Sequence, residues 1–272
     1  AARADMMAAS DVTILCLPDE AAIEAVTLAQ ASQTRLIDAS SAHRIDPDWV
    51  YGFAELQPGQ RDAIANGKLI TNPGCYPTGF LALARPLIAS GLLSDTALVC
   101  APAVSGYSGG GKAMIARHDA GDLHPAFSYG TNLQHKHLDE MTYYSGLKTP
   151  PIFMPSVGDF YAGMLVHLPL HADQIKGSAT AAMIYDCLAD WYQGLALVRM
   201  AAAAANHADV PPMLAADALA GRNDMELFVF SDATEQRFWL TARLDNLGKG
   251  ASGAAVQNMN IALGFDDHFG LN

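Results

Sequence analysis

Lys68-Leu69-Ile70-Thr71 runs into Asn72-Pro73-Gly74-Cys75-Tyr76-Pro77-Thr78-Gly79 and on into Phe80-Leu81-Ala82-Leu83-Ala84-Arg85-Pro86-Leu87-Ile88. The first stretch carries the apolar, β-type residues of a short strand, the second has turn chemistry, and the third has the apolar density of a buried helix. A strand that passes through a tight turn straight into a helix is the building unit of a parallel sheet. The same unit sets one side chain apart. Cys75 falls at the positive end of the predicted helix, where free N–H groups and the helix dipole favour a thiolate. Those N–H groups also suit an oxyanion. Pro73 and Gly74 supply the turn, and Pro77 suits a first helical turn because its missing N–H leaves no donor unpaired. A lone cysteine is more often a small buried residue; this setting turns the reading toward a nucleophile.

The alternation extends toward the N-terminus. Residues 11–17 (DVTILCL) read as a buried strand closed by Pro18, residues 19–30 as a helix, and residues 35–38 as a second strand ending in the polar turn 39–44. Three loops, at 18–19, 40–44 and 72–75, then fall beyond the carboxyl ends of strands, where open α/β sheets bind ligands. Past the cysteine the pattern becomes α+β. A strand is expected over 96–104, followed by Ser105-Gly106-Tyr107-Ser108-Gly109-Gly110-Gly111-Lys112. Strand-like stretches lie within 157–170 and 226–244. Residues 181–195 read as helical, 201–205 as helical or alanine-rich, and 251–263 as a helix. The best division is residues 1–75 plus 246–272 as one domain and residues 76–245 as a second.

With 272 residues, 51% hydrophobic and 16% charged, the chain can bury a sizeable core. No apolar run approaches the roughly 18 residues of a membrane span, and no charged-then-apolar leader is seen. Cys16, Cys75, Cys100 and Cys187 form no CxxC pair, which argues against a disulfide or zinc framework and fits a reducing cytoplasm. A formal charge of −12 disfavours nucleic acid and anionic membranes as partners. An anionic small molecule needs a local cluster of cations, and Arg44 and Lys112, each after a predicted strand, can face one cleft.

Other patterns carry less. Gly106-Tyr107-Ser108-Gly109-Gly110 satisfies the GxSxG of a serine hydrolase, but glycine and Lys112 follow where an apolar helix should start. His135 and His137 are two apart, so they share a face on a strand and diverge on a helix. With Glu140 they leave a metal site without a specified third ligand, and no metal is expected. His43 has no evident partner in its loop. His118, His124, His167, His171, His207 and His268 read as surface or core residues.

Taken together, NPGCYPTG, SGYSGGGK, HKHLDE and DNLGKGASGAAVQNMNIALG, with CLPDEAA, DASSAHR and DWVYGFAEL in order before them, resemble the N-acetyl-gamma-glutamyl-phosphate reductase family in its shorter bacterial form. The resemblance runs from about Asp11 to Asn272. It implies a Rossmann-type parallel sheet with an inserted α+β substrate and dimerisation domain. It implies cytoplasmic, NADP-dependent reduction of an acyl phosphate to an aldehyde in arginine biosynthesis, by a homodimer or homotetramer. The chain opens Ala1-Ala2-Arg3-Ala4-Asp5-Met6-Met7 without the GxGxxG of a dinucleotide fold. The expectation is therefore a cofactor domain lacking its first strand and Gly-rich loop. By resemblance Cys75 is the nucleophile and His135 the favoured acid/base, tuned by Glu140, with His137 as the alternative. Arg44, Ser105 and Lys112 would hold substrate anions. Leu17, Pro18, Ser40, Gly109, Asn246 and Asn258 would lie against NADP. The rivals are an aspartate-semialdehyde-dehydrogenase-like enzyme, a GxSxG hydrolase and a non-catalytic truncated reductase.

Overall fold

Short apolar runs bounded by turn residues form the strands here, and longer runs rich in alanine and leucine form the helices. The computed structural model describes residues 2–177, 180–201 and 213–272. The expected alanine-rich segment after Ala201, and His207, lie outside the described residues. Helix α1 (Ala2–Ala8) leads into β1 (Val12–Leu15), α2 (Asp19–Ala29), β2 (Arg35–Asp38), β3 (Val50–Tyr51), α3 (Gln60–Asn66), β4 (Leu69–Thr71) and α4 (Cys75–Ala89). The four strands form a parallel sheet in the order β1-β2-β4-β3. Leu15 pairs with Asp38 and Asp38 with Thr71, so the loops after these strands open along one edge. The C-terminal helix α8 (Gly253–Leu263) returns to this sheet, burying Ala255 and Ile261 with Ile37 and Ile70.

Between α4 and α8 lie β5 (Cys100–Gly106), α5 (Gly111–Asp119), β6 (Ala126–Ser128), α6 (His137–Ser145), β7 (Ile152–Gly158), β8 (Met164–His171), α7 (Ala181–Trp191), β9 (Val198–Met200), β10 (Met225–Ser231) and β11 (Arg237–Leu244). Their strands form a mixed sheet in the order β6-β7-β5-β8-β11-β10-β9. Helix α4 is apolar on nearly every side and is buried almost throughout, as such a helix must be. It joins Phe80, Leu83 and Leu87 to Val166, Leu168, Leu240 and Leu244 of the sheet in the main core. Gly79 permits that approach, since a Cβ there would stand 2.8 Å from Val166 Cγ2. The α/β and α+β architecture expected from the sequence is present.

Several boundaries differ from expectation, two of them for clear local reasons. The strand expected over 96–104 begins only at Cys100, because the preceding segment is a turn closed by the Ala97 N–H to Ser94 carbonyl bond, with Leu98 exposed. The last helix does not start at Ala251. A π-helical turn, Gly248–Ser252, comes first. No helix is long and apolar enough to cross a membrane among the described residues.

Candidate active site

The turn between β4 and α4 is fixed by backbone pairing on one side and a side chain on the other. The Asn72 N–H donates to the Asp38 carbonyl at 2.7 Å, and Asn72 Nδ2 donates to the Ala251 carbonyl at 2.9 Å. Gly74 is the extended N-cap of α4 and contributes no side-chain acceptor. The backbone N–H groups of Tyr76 and Cys75 face the sulfur and favour the thiolate, as a helix start should. Burial outweighs them. It pushes the Cys75 thiol up to about 11, against the pull of Tyr76 N–H and Arg44. The expected resting thiolate is thus corrected to a thiol. The sulfur's residue is closed in from the far end of the chain: a Cβ on Gly250 would stand 2.8 Å from the Cβ of Cys75.

Three side chains converge on Gly74. A Cβ there would lie 2.6 Å from His137 Nε2, 2.7 Å from Glu140 Oε1 and 2.8 Å from Arg44 Nη1, so only glycine fits. Arg44 Nη1 donates to Glu140 Oε1 at 2.8 Å. Tyr51 Oη and the Gly74 N–H donate to Glu140 Oε2 at 2.9 and 3.1 Å. Burial raises the Glu140 carboxyl, and Arg44, the Gly74 N–H and Tyr51 oppose it, so the two charges stand as an ion pair. His137 Nε2 is 3.9 Å from Glu140 Oε1, outside hydrogen-bond distance. Burial, then Arg44, holds His137 well below its ordinary value. Burial, then Lys136, lowers His135 as well.

Helix α6 begins at His137, so His135 lies ahead of it and the two do not share a strand face. His135 Nδ1 accepts from the His137 N–H at 3.1 Å. His137 Nε2 stands against the Gly74 turn, while His135 also lines the cavity. The signal that could have found this is the i,i+3 spacing of His137 and Glu140, which puts both on one helix face.

These groups line a cavity of about 740 Å³ that also takes in Ile14, Cys16 and Ala39 at the carboxyl ends of β1 and β2. Arg44, Cys75, Ser105, Gly109, His135, His137 and Asn246 of the expected site line it. Glu140 lies behind Arg44. Asn246 accepts from the Gly163 N–H and donates to Ser108 Oγ at 3.0 Å. Ser108, the GxSxG serine, is buried on a 3₁₀ turn, and among the described residues no histidine bonds to it. The remaining expectations fall elsewhere. Lys112 is exposed on α5 and does not line the cavity. Pro18 is exposed, and Leu17 packs against the small core of Leu15 and Trp49. Ser40 Oγ is spent on Asp38 Oδ2 at 2.7 Å. Asn258 Nδ2 donates to the Gly52 carbonyl and to Asn72 Oδ1. His43, without a partner in the sequence, meets Asp38 at 2.6 Å and stacks on Trp49. Sequence reasoning missed Tyr51, whose bond to Glu140 spans 89 residues, and placed Lys249 and Gly250 only within the 246–258 cofactor stretch, not against Glu55 and Cys75. Among the described residues, no group of three or more His, Cys, Asp or Glu could hold a metal ion.

A family model described as semialdehyde dehydrogenase, dimerisation domain, matches residues 75–246, and one described as semialdehyde dehydrogenase, NAD binding domain, matches residues 1–66. The N-acetyl-gamma-glutamyl-phosphate reductase of Trichormus variabilis is 48% identical over 283 residues, covering 99% of this chain and 86% of that protein. The chain belongs to the N-acetyl-gamma-glutamyl-phosphate reductase family. The member from Brucella ovis is 48% identical over 269 residues, covering 96% of this chain and 86% of that one. The fold of this reductase family is shared with more distant solved structures. Aspartate semialdehyde dehydrogenase II from Vibrio cholerae superposes with a TM-score of 0.68 at 15% identity, covering 93% of this chain and 79% of that one. Aspartate semialdehyde dehydrogenase from Francisella tularensis gives 0.68 at 18% identity, covering 94% and 83%.

Proposed function

We infer that this chain reduces N-acetyl-gamma-glutamyl phosphate to N-acetylglutamate semialdehyde and phosphate, with NADPH as reductant, through a thioester on Cys75. The observation that carries this reading is the convergence of His137, Glu140 and Arg44 on Gly74, beside Cys75 in one cavity. The thiol is protonated at rest, so attack needs a base. Neutral His137 takes the Sγ proton as sulfur adds to the acyl carbon. The C–S bond forms, the bond from carbon to the phosphate oxygen breaks, and phosphate leaves with the electron pair. The N–H groups of Cys75 and Tyr76 offset the developing oxyanion. Arg44 is paired through Nη1, but its buried Nε has no partner and suits an anionic oxygen of the substrate. Ser105 lines the same wall.

NADPH supplies the hydride when bound. The cavity, walled by glycine backbone at 109 and 250, would take its nicotinamide end. Gly109 and Asn246 would touch it. Ser40 and Asn258 would brace the neighbouring loops through Asp38 and Asn72. His137 returns its proton to sulfur as the C–S bond breaks and the aldehyde forms. Four cysteines without disulfides suit a cytoplasmic setting. The exposed apolar face of the larger sheet, with Ile152 and Trp239, suits a homodimer or homotetramer.

The test is phosphate-dependent NADP⁺ reduction with N-acetylglutamate semialdehyde, on the wild type and on Cys75→Ala. Wild-type turnover and loss of about 10³-fold or more in the variant are expected, as for removal of a covalent nucleophile. Undiminished activity in Cys75→Ala would end the thioester reading. Faster turnover of aspartate semialdehyde would reassign the substrate.

A further inference from the structure

The π-helical turn Gly248–Ser252 is closed by three bonds of i to i−5 spacing, from the Gly250 N–H to the Asp245 carbonyl at 2.9 Å, from the Ser252 N–H to the Leu247 carbonyl at 2.8 Å and from the Gly253 N–H to the Gly248 carbonyl. Such turns are rare and recur at functional sites. Here the wider turn brings backbone against the nucleophile. A Cβ on Gly250 would meet Cys75 Cβ at 2.8 Å and Cys75 Cα at 3.3 Å. Gly250, Ala251 and Ser252 form a wall of the cavity.

The turn is clamped on two sides. Asn72 holds the Ala251 carbonyl. On the other side Lys249 is 1% exposed, and its Nζ donates to Glu55 Oε1 at 2.8 Å, Glu55 Oε2 at 2.9 Å and Gln257 Oε1 at 2.7 Å. These acceptors use all three ammonium protons. The ammonium also stands 5.5 Å from the Phe53 ring centroid. A buried ion pair is weak evidence of stability, since apolar residues of similar volume often serve as well. Its better-attested use is to fix register. A slip from π to α winding would swing Lys249 from Glu55 and Gly250 from Cys75 together, by about 100° per residue.

We propose that Lys249, through its buried contacts with Glu55 and Gln257, is a positioning residue that fixes the π register of this turn and holds the Gly250 backbone against Cys75. The inference rests on Cys75 being the nucleophile. The variant is Lys249→Met with Glu55→Gln, which removes both charges and strands neither. Three quantities are read: the thermal midpoint, the rate of Cys75 alkylation by iodoacetamide followed by mass spectrometry, and kcat in the NADP⁺ assay. The midpoint is expected to stay near wild type. Alkylation should quicken about fivefold as water reaches the sulfur, while kcat falls about tenfold or more from misplacement. A merely structural pair would lower the midpoint and leave the alkylation rate of the folded protein unchanged. Wild-type alkylation and kcat in the double variant would overturn the proposal. Should that variant not fold, Gln257→Leu removes one acceptor and keeps the ion pair. The same opposed changes are expected, at about threefold, and wild-type values there would overturn the proposal equally. Turnover that survives Cys75→Ala would instead remove the reading beneath it. Turnover that needs Cys75 but ignores the double variant overturns this inference alone.

Discussion

Cys75 and His137 are held neutral by the same cause. Burial raises the thiol to about 11 and lowers the imidazole. Alkylation follows the thiolate fraction, so in the free protein its rate should climb from about pH 7 to about pH 10 without levelling near the ordinary thiol value of about 8.5. Rates of iodoacetamide labelling across that range check this, and a plateau below about pH 9 would contradict it. The histidines differ in placement, which gives a second expectation. His137→Asn should lower kcat by about 10²-fold or more and His135→Asn by about tenfold or less, within the usual range for acid–base groups. Equal losses at saturating substrate would return the role to both rings. The sequence made Cys75 legible because Asn-Pro-Gly and a following apolar run specify a helix start locally. It could not show the desolvation, because Gly250 arrives from the π-helical turn before the last helix, and no local pattern records that contact.

The start of α4 works only because α6 is packed against it with no Cβ between them. Gly74 is the element-scale expression of that fit. An alanine there would have to displace His137 Nε2, Glu140 Oε1 and Arg44 Nη1, all within 2.8 Å of the new atom. Gly74→Ala is expected to cost about 1–3 kcal/mol of stability, the usual range for overpacking. It should lower kcat by about 10²-fold, because misplacing such groups by about 1 Å is enough. Thermal unfolding and steady-state rates on one preparation separate the two effects, and a folded variant with wild-type kcat would remove Gly74 from the argument. At this scale the longer strands and helices were readable from periodicity, while their ends, and short elements such as β3, β6 and α6, were not. The strand expected from Thr96 starts at Cys100, where pairing with Ile152 begins. Lys112 reads as a cleft cation by position after a strand, yet the 3₁₀ turn Tyr107–Gly110 intervenes and α5 leaves the lysine in solvent.

For the molecule as a whole, the larger sheet has one face covered by α4 and α7 and another that leaves Ile152 at 51%, Met154 at 43% and Trp239 at 50% exposed. Alternation along these strands is legible in the sequence, but not that large apolar side chains share the second face across the sheet, since they come from β7 and β11, with β5 and β8 between them. Large apolar side chains left exposed on one sheet face suit an interaction site, and the match to a dimerisation domain over residues 75–246 makes a second copy the occupant to test. A lysine in the middle of such a face must either stay hydrated, which keeps the partner off, or be buried without a counter-ion, which costs several kcal/mol. Trp239→Lys is therefore expected to convert the oligomer to monomers at micromolar concentration, with the far-ultraviolet circular dichroism of the wild type. Sedimentation velocity on both proteins is the measurement. An unchanged sedimentation coefficient in a folded variant would mean that the copies meet through another surface and that this face serves a different partner.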